Sequence, residues 1–250
     1  MSITDVLTPE LFDYRLAIAV AAAIGAGLMR GFAGFGSAMM LSPIYSILYG
    51  PPQMIVMILV MELFISLPLI PGALKHVEGR FVGALSVAAG LAMPFGSLIL
   101  TTVDRITLTR AIAIIVLAFV ALLWSGWRYK GRKRLPVTLA LGAVSGAMCA
   151  STSMAGPPVL AYMLSGPDSA ATNRANIIIY FAVIELFLGG VLAWRGLIHL
   201  DGAVLGALMM PIYTVAGHVG ARQFRQSSEA IYRRLALGIL TAIGLFGLLY

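Results

Sequence analysis

The chain of 250 residues is 60% hydrophobic and only 11% charged, with a mean hydropathy of +0.96, too apolar for a domain surrounded by water. Its formal net charge of +7 is gathered in short basic runs between apolar stretches, the pattern of positive-inside loops, so no nucleic-acid partner is expected. A single cysteine, Cys149, excludes an internal disulfide and, with no His or Cys beside it, reads as a small packing residue; no metal and no cofactor is expected.

Along the chain, the first fifteen residues carry Asp5, Glu10 and Asp13 without a basic n-region, unlike a cleaved signal peptide. Region 15–49 is too long for one membrane helix and is interrupted by "GLMRGFAGFGSAMMLSP" at 27–43, four glycines and an arginine between apolar flanks. It reads as two helical segments meeting at a break, the second beginning near Ser37. Apolar runs near 52–71, 81–101 and 108–127 are each long enough to span a bilayer. A basic linker, 128–134, follows, with Arg128, Lys130, Arg132, Lys133 and Arg134. Region 135–165 is again broken, at "CASTSMAGPP", and spans near 175–194, 202–221 and 235–250 complete the chain.

Each half therefore reads as a broken hairpin followed by three spans. The halves also share local sequence: "MELFIS" at 61–66 recurs as "IELFLG" at 184–189, "SPIYSILYG" at 42–50 resembles "PPVLAYMLSG" at 157–166, and Met93-Pro94 recurs as Met210-Pro211. The fold expected is an all-α polytopic membrane protein with a single transport domain, 1–250, made of repeat one (15–127), the linker and repeat two (135–250). The linker and the loop carrying Arg222, Arg225, Arg233 and Arg234 should both be cytoplasmic. That requires the 135–165 region to enter and return on one side. The repeats are then inverted, both termini are extracytoplasmic, and 12 of the 17 Lys and Arg lie inside, 4 outside and Arg30 in the membrane.

Inverted repeats with discontinuous helices are a secondary-transporter plan in which substrate sits at the breaks. Gly31, Gly34 and Gly36 let the backbone turn and approach another group, and the helix from Ser37 aims its free N–H groups back at the break, an anion-binding arrangement. In the second repeat Ser151, Thr152 and Ser153 offer hydroxyls, Gly156 offers flexibility and Pro157 suits a first helical turn. Two helix N-termini would face one pocket. Arg30, costly inside a bilayer unless paired or facing a cavity, contacts the anion, pairs with Glu62 or Glu185, or snorkels to an interface. Glu62 and Glu185, at equivalent positions mid-span, are proton-coupling groups or a structural pair. His218 is a proton relay or an interfacial residue. Asn173 is expected to cap its helix, and Asn176, one turn deeper, to line the pocket. Gly83, Gly90 and Gly96 are assigned to close helix packing.

"GFAGFGSAMMLSPIY" at 31–45, "STSMAGPPVLAYMLSG" at 151–166, "ATNRANIII" at 171–179, the basic linker and the two-fold repeat together resemble the TauE/SafE sulfite exporter family. The resemblance implies transport, as an exporter, of a small sulfur-containing or carboxylated anion such as sulfite, sulfoacetate or another organosulfonate across a bacterial inner membrane. Arg30 is assigned from its position and charge, not from the motif. The partners expected are the small anion and the lipid bilayer, with a homodimer left open. Two alternatives stand beside a carrier: an anion channel on the same scaffold, and an intramembrane hydrolase with Ser37 as nucleophile and His218 or His199 as base.

Overall fold

The computed structural model describes residues 14–33, 36–125, 133–163, 168–223 and 229–249. Among them there are helices and no strands, as expected where a bilayer leaves no water to satisfy an open backbone. The first broken region is α1 (Tyr14–Ala33) and α2 (Ser37–Tyr49). Next come α3 (Pro51–Ser66), carried on by short turns to Ala73, then α4 (Gly79–Thr102) and α5 (Arg105–Trp124). The second broken region is α6 (Leu135–Thr152) and α7 (Pro157–Met163), followed by α8 (Ala170–Trp194), α9 (Leu200–Gln223) and α10 (Glu229–Leu249). Among the described residues, seven helices are long and apolar enough to cross a membrane, including the first arm of each broken region, so that of these arms the second ones are short. The expected last span falls in α10, Glu229–Leu249. Of the basic linker, Lys133 and Arg134 are described; Arg128, Lys130 and Arg132 lie outside the described residues.

The chain forms two compact units: Met1–Met61 with Val103–Trp124 and Ile198–Tyr250, and Glu62–Thr102 with Ser125–Leu197. These do not follow the two halves of the sequence; each unit takes segments from both. The reason lies in two helix crossings. In the first unit α1 packs on α9, and in the second α6 packs on α4, so each broken arm finds its partner in the other half.

Both crossings bring backbone against backbone. A methyl group added at Gly27 or Gly31 would overlap the carbonyl oxygen of Tyr213 or Gly217, and one at Gly220 that of Leu28. In the other crossing, Gly142 faces the carbonyl of Leu85, Gly146 that of Ala89 and Gly96 that of Ala147. The pairs Gly27/Gly31 and Gly142/Gly146 share the four-residue spacing that lets membrane helices approach closely. Gly31 is thus a packing residue within α1, not part of the turn. Of the other glycines assigned to packing, Gly96 fits, Gly90 meets the ring of Phe187, and Gly83 faces open space.

Within the second unit, α4 and α8 run parallel and are tied near both ends. The Asn176 side chain accepts from the Glu78 backbone N–H (2.8 Å) and donates to its carboxylate (3.0 Å), while Arg195 Nε donates to Ser97 Oγ (3.2 Å). Both ties join residues 98 apart in sequence, so the register holds across about 28 Å of helix. Lys133, just before α6, forms an ion pair with Asp168, just before α8, lies 3.8 Å from Glu78 and stacks over the Phe81 ring. The segment between Lys133 and Asp168 therefore leaves and returns to one place, and α4, α6 and α8 all begin there.

The first unit has a similar arrangement. Tyr45 of α2 reaches back to the carbonyl of Ala19 in α1 (3.1 Å), so α1 and α2 form an antiparallel hairpin. Gln53 in the first turn of α3 bonds Asp201 in the first turn of α9, which fixes those two helices parallel. Ser46 of α2 and Thr109 of α5 share a buried hydrogen bond (2.6 Å). Arg105 caps the carbonyl of Ile47 at the end of α2 (2.8 Å). Asp104 caps α5 by accepting from the Thr107 N–H (2.9 Å), and the bonds from Thr107 hold its carboxyl below the usual aspartate range.

Candidate functional site

The first break separates α1 from α2. Gly36 immediately precedes α2 in the left-handed region (φ 93°), and the Met39 N–H returns to its carbonyl (3.1 Å). A side chain there would be strained, which accounts for the glycine. No side chain caps α2, so its first amides depend on groups other than a local cap. Ser37, the first residue of α2, is buried. Arg30 lies in the last turn of α1 and is 9% exposed; the carbonyl end of a helix favours a cation there. Gly34 lies outside the described residues.

The second break separates α6 from α7. α6 ends at Thr152, and Ser153 takes a left-handed conformation (φ 60°) while its N–H closes on the carbonyl of Cys149 (2.9 Å). Ser153 is the only non-glycine residue with positive φ among the described residues. A residue held this way is kept by its surroundings and marks a functional-site candidate. It is only 8% exposed, and its hydroxyl oxygen has no hydrogen-bond partner among the described residues. Gly156 ends the break, with Leu160 and Phe181 nearby, and α7 starts at Pro157.

The three hydroxyls of this stretch are not equivalent. Ser151 Oγ donates to the carbonyls of Ala147 and Met148 (2.9 and 3.2 Å), and Thr152 Oγ1 to that of Met148 (2.7 Å). Both protons are spent on the last turn of α6, a common habit of Ser and Thr in helices. Ser153 alone is left as the hydroxyl donor of the break.

Glu62 of α3 and Glu185 of α8 both belong to the second unit and both are buried. Each lies within electrostatic reach of Cys149, one turn before Ser153. The cysteine that reads as mere packing in the sequence therefore lies within electrostatic reach of both carboxyls. Asn176 is fully buried, but both faces of its amide are engaged by Glu78, so it fastens α4 to α8. The cap of α8 is Ser169, which accepts from the Thr172 N–H (3.1 Å), and Asn173 sits within the first turn. His218, in the first unit, is exposed, with Nδ1 2.8 Å from the Thr214 carbonyl. No cluster of three or more potential metal-ligating residues occurs among the described residues.

The profile of the family described as "Sulfite exporter TauE/SafE" matches residues 19–247. The chain belongs to the TauE/SafE family. It is also similar to the probable sulfite/organosulfonate exporter TauE of Cupriavidus necator, with 25% identity over 183 residues covering 70% of each chain. No solved structure matches it. Membership in the TauE/SafE family makes this a multi-pass membrane transporter and not an enzyme, which removes the Ser37–histidine hydrolase from consideration. The match spans both breaks and both glutamates.

Proposed function

We propose that this protein is a secondary carrier of small sulfur-containing anions, sulfite or an organosulfonate such as sulfoacetate, working as an exporter in the bacterial inner membrane and coupled to protons. The observation that carries the reading is the second break: a buried hydroxyl donor with no partner among the described residues, in the same unit as two buried carboxyls, in a chain of an anion-exporter family. The second break is proposed to bind the anion, with Ser153 supplying a hydrogen bond. Arg30 is proposed as an anion-attracting charge at the first break, within its own unit.

The carboxyls explain how an anion and a proton become linked. Glu62 or Glu185 is proposed to carry the coupling proton, so that it moves together with the anion. The coupling proposed has the sign of symport. A dianion such as sulfoacetate that carries one proton still leaves with one negative charge. The inside-negative potential drives that charge outward by about 2.3 kcal/mol per 100 mV.

In proteoliposomes, Glu62→Gln and Glu185→Gln are expected to keep anion exchange but to lose flux driven by a pH gradient, because glutamine imitates the protonated carboxyl. Wild-type pH-driven flux in both variants would return the glutamates to a structural role. Counterflow separates carrier from channel on the same preparation: trans anion accelerates uptake through a carrier and has no such effect on an open pore.

The proposed topology is inverted, with both termini extracytoplasmic and the 128–134 linker cytoplasmic. The support is the distribution of basic residues, together with the common origin of α4, α6 and α8 beside Lys133. Reporter fusions at the two termini should both be active outside. Termini on opposite faces would sink the inverted arrangement.

A further inference from the structure

Neither Tyr180 nor Ser145 stands out in the sequence, yet together they reach the second break. Tyr180, on α8 five residues before Glu185, is fully buried, and its hydroxyl lies 2.6 Å from Ser145 Oγ on α6. Ser145 Oγ in turn lies 2.7 Å from the carbonyl oxygen of Ala155. A carbonyl only accepts, so Ser145 gives its single proton to Ala155 and Tyr180 must donate to Ser145. The result is a two-bond chain of fixed direction from α8, through α6, to the break.

Its other hydrogen bonds are local. The Ser153 N–H bonds Cys149 and the Met154 N–H bonds Thr152 Oγ1 (3.4 Å), both within the end of α6 itself. Among the described residues, the Tyr180–Ser145–Ala155 chain links the break, two residues beyond Ser153, through α6 to another helix. A left-handed serine persists only where its surroundings over-determine it, and this chain supplies that constraint. We infer that Tyr180 is a positioning residue for anion recognition: acting through Ser145, it holds the Ser153 turn so that the buried hydroxyl faces the anion. The inference rests on the proposed role of the second break in binding.

The test uses the full-length protein in proteoliposomes, with sulfite and sulfoacetate as probes, and thermal unfolding measured on the same preparations. Tyr180→Phe removes one hydroxyl and keeps the ring. It is expected to raise KM about fivefold to tenfold, the scale of one lost hydrogen bond, and to change kcat less than KM. Ser145→Ala should reproduce the effect, and Ser145→Thr, which keeps a hydroxyl, should recover most of the affinity. Because the two bonds act in series, the double variant should be no worse than Ser145→Ala alone. An unchanged KM in both Tyr180→Phe and Ser145→Ala, or additive losses in the double variant, overturns the inference while leaving the anion reading in place. If Tyr180→Phe proves too unstable to assay, the Ser145→Ala and Ser145→Thr pair decides: equal KM in the two overturns it. A wild-type protein that carries neither probe overturns the anion reading and this inference together.

Discussion

Alanine at Gly31 or Gly146 is expected to destabilise the protein by about 3 kcal/mol or more, near the top of the range for overpacked cores. Helix propensity alone predicts the opposite sign, since replacing glycine by alanine inside a helix ordinarily stabilises by roughly 0.5–1 kcal/mol. Packing wins because the added methyl would overlap a backbone carbonyl, Gly217 in one case and Ala89 in the other. A backbone oxygen has no rotamer by which to move aside, so the helices must separate along the whole crossing. Gly83→Ala and Gly190→Ala are the controls: nothing lies near a methyl at either position, and both should be neutral or slightly stabilised. Thermal unfolding in detergent reads the difference. A Gly31→Ala protein that melts with the wild type would show that the α1–α9 crossing is looser than the geometry requires.

Loss of the Arg30 guanidinium is expected to have the largest effect on binding. Arg30→Met should weaken anion affinity by about 1.5–3 kcal/mol, the scale of hydrogen bonds to a charged group, or roughly tenfold to more than a hundredfold in Kd. Arg30→Lys keeps the charge but not the planar fork that grips two oxygens of a sulfonate, and should retain part of the affinity. The motive is physical: a cation in the apolar part of a membrane costs at least roughly 2.5–3.5 kcal/mol on insertion scales, and this one is buried in the last turn before a helix break. Stability has to be measured beside affinity, because an arginine that only balances the carbonyl end of α1 would also destabilise the fold when removed. Full affinity in a well-folded Arg30→Met protein would leave recognition to other groups.

These two effects fall on different levels of the protein, and so does what the sequence reveals. The spans, the two broken regions and the start of α2 at Ser37 are legible along the chain, because bilayer thickness fixes the length of an apolar helix and Gly and Pro interrupt it wherever they occur. The matching positions of Glu62 and Glu185 are legible too, since a repeated motif needs no folding to be seen. The division of labour among neighbouring residues is not. Gly31 looks like a hinge and is a contact surface for α9; Ser151 and Thr152 look like ligands and are bonded to their own helix, while Ser153 is not. Asn176 looks like a pocket residue and fastens Glu78. Tyr180 and Ser145 carry no signal at all until α8 is laid against α6. Local sequence determines which segments enter the membrane and where they break, because hydrophobicity and backbone freedom belong to each residue by itself. Which donor meets which acceptor belongs to pairs of residues, many far apart in the chain, and only the crossing of helices from opposite halves decides it.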